Sequence, residues 1–505
     1  MKMLRIIFIS SIIFAVFMLI SYGKQQNKLP LENPISPTVI SVQPNDGAME
    51  VPINTTVTVE FSEPMIVHTS SFYLIEDKSS MLVKTKVATE ESKITLTPIV
   101  SLQYNTEYIA CISDKISNIA GDTFGEEYKW SFITELKPHS LEWKQAFSDL
   151  DDGTAESVQQ TTDGGYILAG WIKSHGTKNV WLIKTNAVGV EQWSQTFDGS
   201  GNNRVTFTQQ TVDGGYILAG TYAYAAGDDD AWLIKTDAAG VKQWSQTFGG
   251  SDKDYAYSVQ QTTDRGYILA GKTWSYGAGN YDAWLIKTNA AGVKQWSRTF
   301  GDSGYDDTRF VQQTTDGGYI LTGRTTSFGA GNYDAWLIKT NAAGVKQWSQ
   351  AFGGSKNDYA ESIQQTTDGG YILVGGTVSF GTSSRDPFLR TRTDSKDAWL
   401  IKTDAVGVKQ WSRTFGGSYN DGVESVQQTT DGGYILAGWT KSEYNWADAW
   451  LIKTDAVGVE QWKYRFGSMS GWAESVQQTT DGGYILAGWS KSYGHYDAWL
   501  IKVSH

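Results

Sequence analysis

Apolar and polar residues alternate in short runs along this chain, and the pattern predicts an all-β protein. Between residues 38 and 134, runs such as Val57 to Phe61 and Lys93 to Thr97 are apolar at every second position, as half-buried strands are. In the C-terminal two-thirds, runs such as Tyr267 to Ala270 and Ala283 to Lys287 are apolar on both parities. That pattern is expected where a sheet is covered on both faces.

The C-terminal two-thirds repeats itself. A Gln-Gln pair followed by Thr-Thr-Asp-Gly-Gly-Tyr-Ile-Leu, or a close variant, recurs seven times at 50–52 residues, with one spacing of 63. The copies begin at Gln159, Gln209, Gln260, Gln312, Gln364, Gln427 and Gln477. Each period contains four predicted strands, named a to d, joined by turns with the Asp-Gly and Gly signals of hairpins. Four-stranded repeats that cover one another are typical of the blades of a β-propeller.

The two ends of the repeat region predict how the ring closes. The chain enters the repeats with a lone strand d, Glu142 to Phe147, and stops after a lone strand c, Ala498 to Lys502. The first strand can therefore complete the last blade, which removes the open edge of the ring. We expect a seven-bladed propeller over residues 142–505 whose N-terminal strand closes the last blade.

The first residues are typical of a secretory signal. Lys2 and Arg5 precede an apolar run from Ile6 to Ile20, and the small residues Ser21 and Gly23 predict cleavage after Gly23. An uncleaved membrane anchor is the alternative, although the apolar run is short for a membrane span. We expect export to the extracellular space or the cell envelope, with no stable membrane span after cleavage. The predicted order is signal peptide 1–23, linker 24–37, β-sandwich 38–134, linker 135–141 and propeller 142–505.

The segment 38–134 resembles the bacterial Ig-like domain first recognised in surface-layer proteins. The matching pieces are Pro44 to Ala48, Val51 to Asn54, Phe61 to Met65, Leu96 to Pro98 and the closing Trp130 to Thr134. The resemblance implies an Ig-like β-sandwich that serves as a spacer or presentation module on an exported protein. It implies no catalysis.

The turn between strands c and d, for example Thr236 to Trp244, is similar to the Asp…Gly…Trp signature of quinoprotein-like propellers. In that group the Trp packs across to the next blade. The quinone enzymes use a vicinal cysteine pair and a calcium-linked cofactor, whereas this propeller has no cysteine, so their activity is not implied. The one cysteine of the chain, Cys111, lies in a predicted buried strand and has no disulfide partner.

Composition narrows the functional classes. The net charge is −12, which argues against nucleic-acid binding because that requires a basic face. The five histidines are scattered without metal-ligand spacing, and no nucleophile–base set stands out. We therefore expect no cofactor, although the carboxylate-rich segment Asp149 to Gly153 leaves a calcium site open.

Three blades share a Trp-x-Lys-Ser string at the end of strand b, and they are neighbours only if the ring closes. The residues are Trp171 and Lys173, Trp439 and Lys441, and Trp489 and Lys491, with Trp446 and Trp472 in neighbouring loops. Glu156, Glu424 and Glu474 precede strand a in the same blades, so a Lys–Glu pair beside each Trp is expected across the hairpin. These aromatic residues are either an exposed platform for a sugar or peptide, or the product of duplication and blade packing.

Two further features have two interpretations each. The loop between strands b and c of the fifth repeat carries an insertion made basic by Arg385, Arg390 and Arg392. It is either a partner-specific finger or a disordered loop.

The paired glutamines predict a ring of amides near the central channel, which either lines a wet channel or stitches the blades together.

We expect a non-catalytic binding or scaffold protein of the cell envelope, in which the Ig-like spacer presents a propeller that binds a glycan or an envelope protein. The alternative is a secreted carbohydrate-active or other hydrolytic enzyme that uses the face where the d–a and b–c loops vary. Acidic residues that converge in a deep pocket on that face would favour the enzyme. A shallow aromatic surface would favour the binding protein.

Overall fold

The computed structural model describes residues 36–67, 71–104, 106–134, 140–147, 152–174, 176–197, 201–224, 228–385, 392–441, 447–492 and 494–504. The chain divides into two compact units, Met1–Pro138 and His139–His505, and each is described by itself. Every regular element within these ranges is a β-strand, which confirms the predicted all-β class. Within them, no helical segment has the length and apolar character needed to cross a membrane.

The N-terminal unit is a β-sandwich. Its strands are β1 (Val39–Gln43), β2 (Ala48–Val51), β3 (Val57–Phe61), β4 (Met65–Ile66), β5 (Phe72–Glu76), β6 (Met81–Leu82), β7 (Thr85–Glu90), β8 (Lys93–Pro98), β9 (Glu107–Ile112), β10 (Ser117–Asn118) and β11 (Tyr128–Thr134). One sheet has the order β1-β3-β8-β7 and the other β2-β11-β9-β5-β6. The alternating apolar residues of both sheets, among them Leu96 and Phe132, form one core. Cys111 is buried with a free thiol.

The C-terminal unit repeats a four-stranded sheet, as predicted. Blade 1 contains β13 (Gly153–Gln160), β14 (Tyr166–Ser174), β15 (Thr177–Thr185) and β16 (Glu191–Phe197). Blade 2 contains β17 (Arg204–Gln210), β18 (Tyr216–Ala223), β19 (Asp229–Thr236) and β20 (Lys242–Phe248). Blade 3 contains β21 (Asp254–Gln261), β22 (Tyr267–Thr273), β23 (Asp282–Thr288) and β24 (Lys294–Phe300). Blade 4 contains β25 (Asp306–Gln313), β26 (Tyr319–Thr325), β27 (Asp334–Thr340) and β28 (Lys346–Phe352).

The later blades depart from this pattern in two ways. Blade 5 contains β29 (Asp358–Gln365), β30 (Tyr371–Thr377), β33 (Asp397–Thr403) and β34 (Lys409–Phe415), with a short inserted hairpin of β31 (Ser383–Arg385) and β32 (Arg392–Asp394). Blades 6 and 7 share the long strand β38 (Glu460–Gln478), which is strand d of one and strand a of the next. The other strands of these blades are β35 (Asp421–Gln428), β36 (Tyr434–Lys441), β37 (Ala447–Thr454), β39 (Tyr484–Ser492), β40 (His495–Val503) and β12 (Leu141–Ala146).

The ring closes as the sequence predicts. Strand β12 pairs antiparallel with β40, from Leu141 opposite Val503 to Ala146 opposite Trp499. The innermost strands of successive blades contact one another around the whole ring, including β13 of blade 1 and β38 of blade 7. The last blade therefore takes its outer strand from the start of the propeller, and no sheet edge is left open between blades 7 and 1.

The paired glutamines stitch the blades together, which confirms the second of the two interpretations. At every junction the first Gln accepts a hydrogen bond from the backbone N–H of the second Gln in the next blade, at 2.5–2.8 Å. The second Gln accepts from a backbone N–H in the a–b turn of the preceding blade, at 2.9–3.0 Å. At the closing junction these bonds join Gln160 to Gln477 and Thr480 to Gln160.

The strand-d tryptophans pack across to the next blade. Trp193 of blade 1 lies against Tyr216 of blade 2, with ring centroids 5.9 Å apart. A Cβ on Gly240, in the c–d turn of blade 2, would fall 2.5 Å from the Trp193 ring, so only glycine fits there. The same Trp–Tyr contact recurs from Trp143 with Tyr166 to Trp462 with Tyr484.

Candidate functional site

Each innermost strand of the propeller carries a β-bulge at the same position, three residues before the first Gln. The register with strand b shifts there in all seven blades. A bulge leaves one residue without a partner and re-aims its side chain. The seven bulge residues are Glu156, Thr206, Tyr257, Arg309, Glu361, Glu424 and Glu474, and all of them line one cavity of about 190 Å³, the axial pocket.

Two phenylalanines form the floor of the axial pocket. Phe207 and Phe310 follow the bulge in blades 2 and 4, where the five other blades have serine. Their rings meet edge to face at 5.4 Å and line both the axial pocket and a second cavity lined by glutamines of the stitching ring. The pair therefore separates the two cavities, so that a ligand in the axial pocket would rest on an apolar floor.

Four of the seven bulge residues are glutamates, and crowding them in one pocket perturbs their protonation. Burial first, and then the Glu361 charge, raises the pKa of Glu424 to about 7. Burial and the neighbouring Glu156 and Glu424 raise the pKa of Glu474 well above its usual value. Burial also raises the pKa of Glu156. Because carboxylates that share a site resist simultaneous ionisation, the neutral forms of Glu424, Glu474 and Glu156 persist to higher pH than that of a free glutamate.

The tryptophans singled out from the sequence form one continuous row beside the axial pocket. Trp439 stacks on Trp472 at 4.7 Å, and Trp472 on Trp489 at 5.5 Å. Tyr496 then joins Trp489 to Trp171, with centroids 5.3 and 6.1 Å away. We call these five rings the aromatic row; it crosses blades 6, 7 and 1 and so depends on ring closure.

Lysines cap both ends of the aromatic row. Lys396 lies 4.2 Å from the centre of the Trp439 ring, and Lys178 lies 3.4 Å from that of Trp171. Burial lowers the pKa of both lysines. Each cation is thus held against an indole face by packing.

Two members of the row fit the blade-packing interpretation and not that of an exposed platform. Trp171 and Trp439 are only 7% and 4% exposed, because neighbouring rings and the capping lysines cover them. Trp472 and Trp489 are half-buried. The aromatic row is therefore packed into the fold at both ends and is not a flat exposed platform.

The expected Lys–Glu pairs are wrong. Glu424 and Glu474 accept hydrogen bonds from the indole N–H groups of Trp439 and Trp489, at 2.9 and 2.8 Å. The bulge turns each glutamate into the axial pocket and away from the lysine on strand b. Lys173 instead lies 3.6 Å from Asp152. Lys441 and Lys491 lie 5.9 and 5.3 Å from the Trp439 and Tyr496 ring centres.

The structure describes the remaining predicted site residues only in part. Trp446 and Arg390 lie outside the described residues. Arg385 and Arg392 pair with each other in the inserted hairpin of β31 and β32, and their backbone alone is described. Most of Asp149 to Gly153, the candidate calcium segment, also lies outside. Within the described part of the chain, no group of three or more His, Cys, Asp or Glu side chains is arranged to hold a metal.

Sequence reasoning missed Thr206, Tyr257, Arg309 and Glu361, which complete the axial pocket. A signal for them exists in the aligned repeats. The position three before the invariant Gln-Gln pair is Glu in four repeats and Thr, Tyr or Arg in the other three. A variable position inside a constant framework indicates side chains that the fold itself does not require.

Comparison with known proteins identifies the Ig-like domain of the N-terminal unit. Residues 33–134 match the family model of the bacterial Ig-like domain, and such domains are typical of extracellular or surface proteins. None of the curated proteins compared is similar to the chain.

Among solved structures, the chain is similar to the WD40 domain of Pan2 from Neurospora crassa, at 10% identity and a TM-score of 0.45, over 72% of this chain and 95% of that one. Sqt1 from Chaetomium thermophilum matches at 10% identity and 0.40, over 70% and 87%. A protein of unknown function from Bacteroides thetaiotaomicron matches at 10% identity and 0.33, over 94% and 99%. We draw nothing about function from likenesses of this strength.

Proposed function

We propose that this protein is an exported, non-catalytic cell-envelope protein that binds a glycan in the axial pocket. An Ig-like domain joined to a propeller suggests a surface or binding protein in general. The observation that favours a small polar ligand is the ring of bulges, since every blade contributes one side chain to a single recess. A protein partner would require a much larger contact surface than this recess offers.

The chemistry of the recess suits a sugar. Glutamate carboxyls and carboxylates, Thr206 and Tyr257 supply hydrogen-bond donors and acceptors for hydroxyl groups. The phenylalanine floor supplies an apolar face beside them, and the indole N–H of Trp489 fixes the Glu474 carboxyl. A few convergent polar groups among aromatic walls are typical of small-ligand sites. A volume of about 190 Å³ accommodates roughly one sugar ring, so we expect recognition of a chain end or a single residue.

The test is a glycan array followed by calorimetry with the full chain. Glu474→Gln keeps the shape of the side chain but removes its titration, and Trp489→Phe removes the indole N–H bonded to Glu474. We expect each variant to lose at least tenfold in affinity for any glycan that the wild type binds. Glu191→Gln, at an exposed position on β16, is the matched control and should bind as the wild type does. Wild-type binding that both pocket variants retain in full would contradict the proposal.

A second candidate function, glycan hydrolysis, has an observation of its own. Acidic residues do converge in a pocket at the channel mouth, which is the arrangement expected of the enzyme alternative. Acid–base hydrolysis uses a carboxyl of raised pKa close to a second carboxyl, and the pKa of Glu424 is raised by burial to about 7 in a pocket that holds three other glutamates.

Product release distinguishes the two functions. Any glycan bound on the array is incubated with wild type and with Glu424→Gln, and new reducing ends are counted. Release by the wild type that Glu424→Gln abolishes would establish an enzyme. Binding without release supports the non-catalytic function.

A further inference from the structure

Blades 3 and 4 place three cations at the channel mouth, which we call the cationic sector. They are Lys272, Arg309 and Arg324, and they surround Asp307. The Nε of Arg324 lies 3.2 Å and an Nη of Arg309 lies 3.5 Å from the same oxygen of Asp307, which is fully buried. Arg309 also approaches Glu361, at 3.8 Å. Three cations thus face two carboxylates.

Lys272 has the weakest compensation of the three. It donates a hydrogen bond to the Tyr305 hydroxyl at 2.8 Å and lies 4.0 and 4.8 Å from the ring centres of Tyr281 and Tyr255. Among the described residues no carboxylate lies within 4 Å of its ammonium group. Burial, only partly offset by Asp307, lowers the pKa of Lys272 to about 8. Burying the Lys272 ammonium group therefore costs free energy that the neighbouring carboxylates do not fully offset.

The arginines retain capacity for a ligand. The Nε of Arg309 is buried and has no hydrogen-bond acceptor. Arg309 itself lines the axial pocket. The Arg309 and Arg324 side chains remain 27% and 26% exposed, so part of each guanidinium faces the channel mouth. A planar guanidinium fork binds a carboxylate or sulfate through two parallel hydrogen bonds.

We propose that the cationic sector binds an acidic group of the ligand, so that the protein selects glycans bearing a carboxylate or a sulfate ester. This inference rests on the proposed glycan-binding function and names its substrate class. The acidic group would lie against Arg309, Arg324 and Lys272, while the rest of the sugar lies over the phenylalanine floor. One negative charge on the ligand would balance the one positive charge by which Lys272, Arg309 and Arg324 exceed Asp307 and Glu361.

The glutamates across the axial pocket oppose this least at low pH. Burial together with neighbouring carboxylates raises the pKa of Glu424 to about 7 and raises the pKa of Glu474, and burial raises the pKa of Glu156, so lower pH favours their neutral forms. Glu361 lies 3.8 Å from the Nε of Arg309. Tyr257, also in the pocket, has a pKa raised by burial and stays neutral. As pH rises from 6 to 8, Glu424 ionises and Lys272, with a pKa of about 8, begins to lose its charge, so binding of an acidic glycan should weaken.

The experiment uses oligosaccharides matched except for charge. Tetragalacturonate is compared with its methyl ester, and a chondroitin sulfate oligosaccharide with its desulfated form, by calorimetry with the full chain at pH 6 and pH 8. We expect one acidic member to bind at least tenfold more tightly than its counterpart at pH 6, with the difference reduced at pH 8. The pair that shows the difference distinguishes a carboxylate from a sulfate.

Variants locate the effect. Arg324→Gln and Lys272→Met should each remove most of the preference for the acidic member, and Arg324→Lys should retain part of it. Arg298→Gln, an exposed arginine on β24 of the same blade as Lys272, is the control and should change nothing. Thermal unfolding confirms that each variant is folded.

The two failures are distinguishable. Equal binding of acidic and neutral members would overturn the cationic sector while leaving glycan binding intact. Loss of preference in Arg298→Gln as well would also overturn it. Absence of binding to these pairs and to every glycan on the array would overturn the proposed function itself.

Discussion

The glutamine ring allows ring closure to be tested by stability. Gln477 of blade 7 accepts a hydrogen bond at 2.6 Å from the backbone N–H of Gln160 in blade 1. Gln364 of blade 5 accepts the equivalent bond from Gln428 in blade 6, an internal junction. Replacing either glutamine by alanine leaves a backbone N–H in the channel wall without its acceptor. We expect Gln477→Ala and Gln364→Ala to cost the same.

The magnitude follows from the burial of the bond. An unmatched backbone donor costs about 1–3 kcal/mol, and the lower part of that range applies where water reaches it. The glutamines are partly exposed to the second cavity, so we expect about 1.5 kcal/mol for each variant. Gln350→Ala, on the outer strand of blade 4, is the control and should stay within about 0.5 kcal/mol of wild type.

Urea unfolding followed by tryptophan fluorescence measures these differences. Of the 21 tryptophans, Trp130 alone lies in the sandwich, so the signal reports the propeller. The midpoint should fall and the m-value should stay the same in both variants. A normal cost for Gln364→Ala with none for Gln477→Ala would mean that blades 7 and 1 do not meet, and our account of closure would fail.

Three further predictions concern stability. The urea midpoint should peak near pH 4–5. Below that pH the a–b turn aspartates such as Asp163, whose pKa is lowered to about 2 in the folded protein, lose their stabilising charge. Above that pH stability falls because Glu424, whose pKa is raised to about 7 in the folded protein, ionises more readily in the unfolded chain. A midpoint that climbs steadily to pH 8 would contradict this. Arg265→Gly should stabilise by about 1 kcal/mol, since Arg265 has φ 64° where the other a–b turns have glycine, and a lower midpoint would refute the strain. Gly240→Ala should cost at least ~2 kcal/mol, because its Cβ would enter the Trp193 ring; an unchanged midpoint would show that the ring moves freely.

The sequence predicts that the seven residues of the axial pocket occupy equivalent positions around the ring, but not that their side chains point into one cavity. The sequence places one residue per repeat just ahead of Gln-Gln, and the innermost position of strand a follows from the order of strands in a blade. Whether that side chain faces the channel or the neighbouring blade depends on a single-residue register shift. A bulge is a property of the pairing of two strands, and nothing local to Glu156 or Glu474 requires it.

The sequence could not decide whether Trp171 and Trp439 are exposed or packed between blades, for a related reason. Each lies at the end of strand b, where the alternation pattern no longer distinguishes a covered side chain from an exposed one. Cover comes from Lys178 on β15, from Lys396 in blade 5 and from Trp472 in blade 7, which are separated from the tryptophans by loops or whole blades. Contacts of that kind are set by how the blades pack.

Sequence by itself determined the strands, the four-strand period, the Ig-like sandwich and the closure of the propeller by its first strand, because alternation, turn residues and repeat spacing act over distances of a few to about fifty residues. Tertiary structure alone decided what faces the axis. It brought Glu156, Glu424 and Glu474 of blades 1, 6 and 7 into one pocket, which requires the closed ring, and it set Lys272 of blade 3 near Asp307, Arg309 and Arg324 of blade 4 through the packing of adjacent blades.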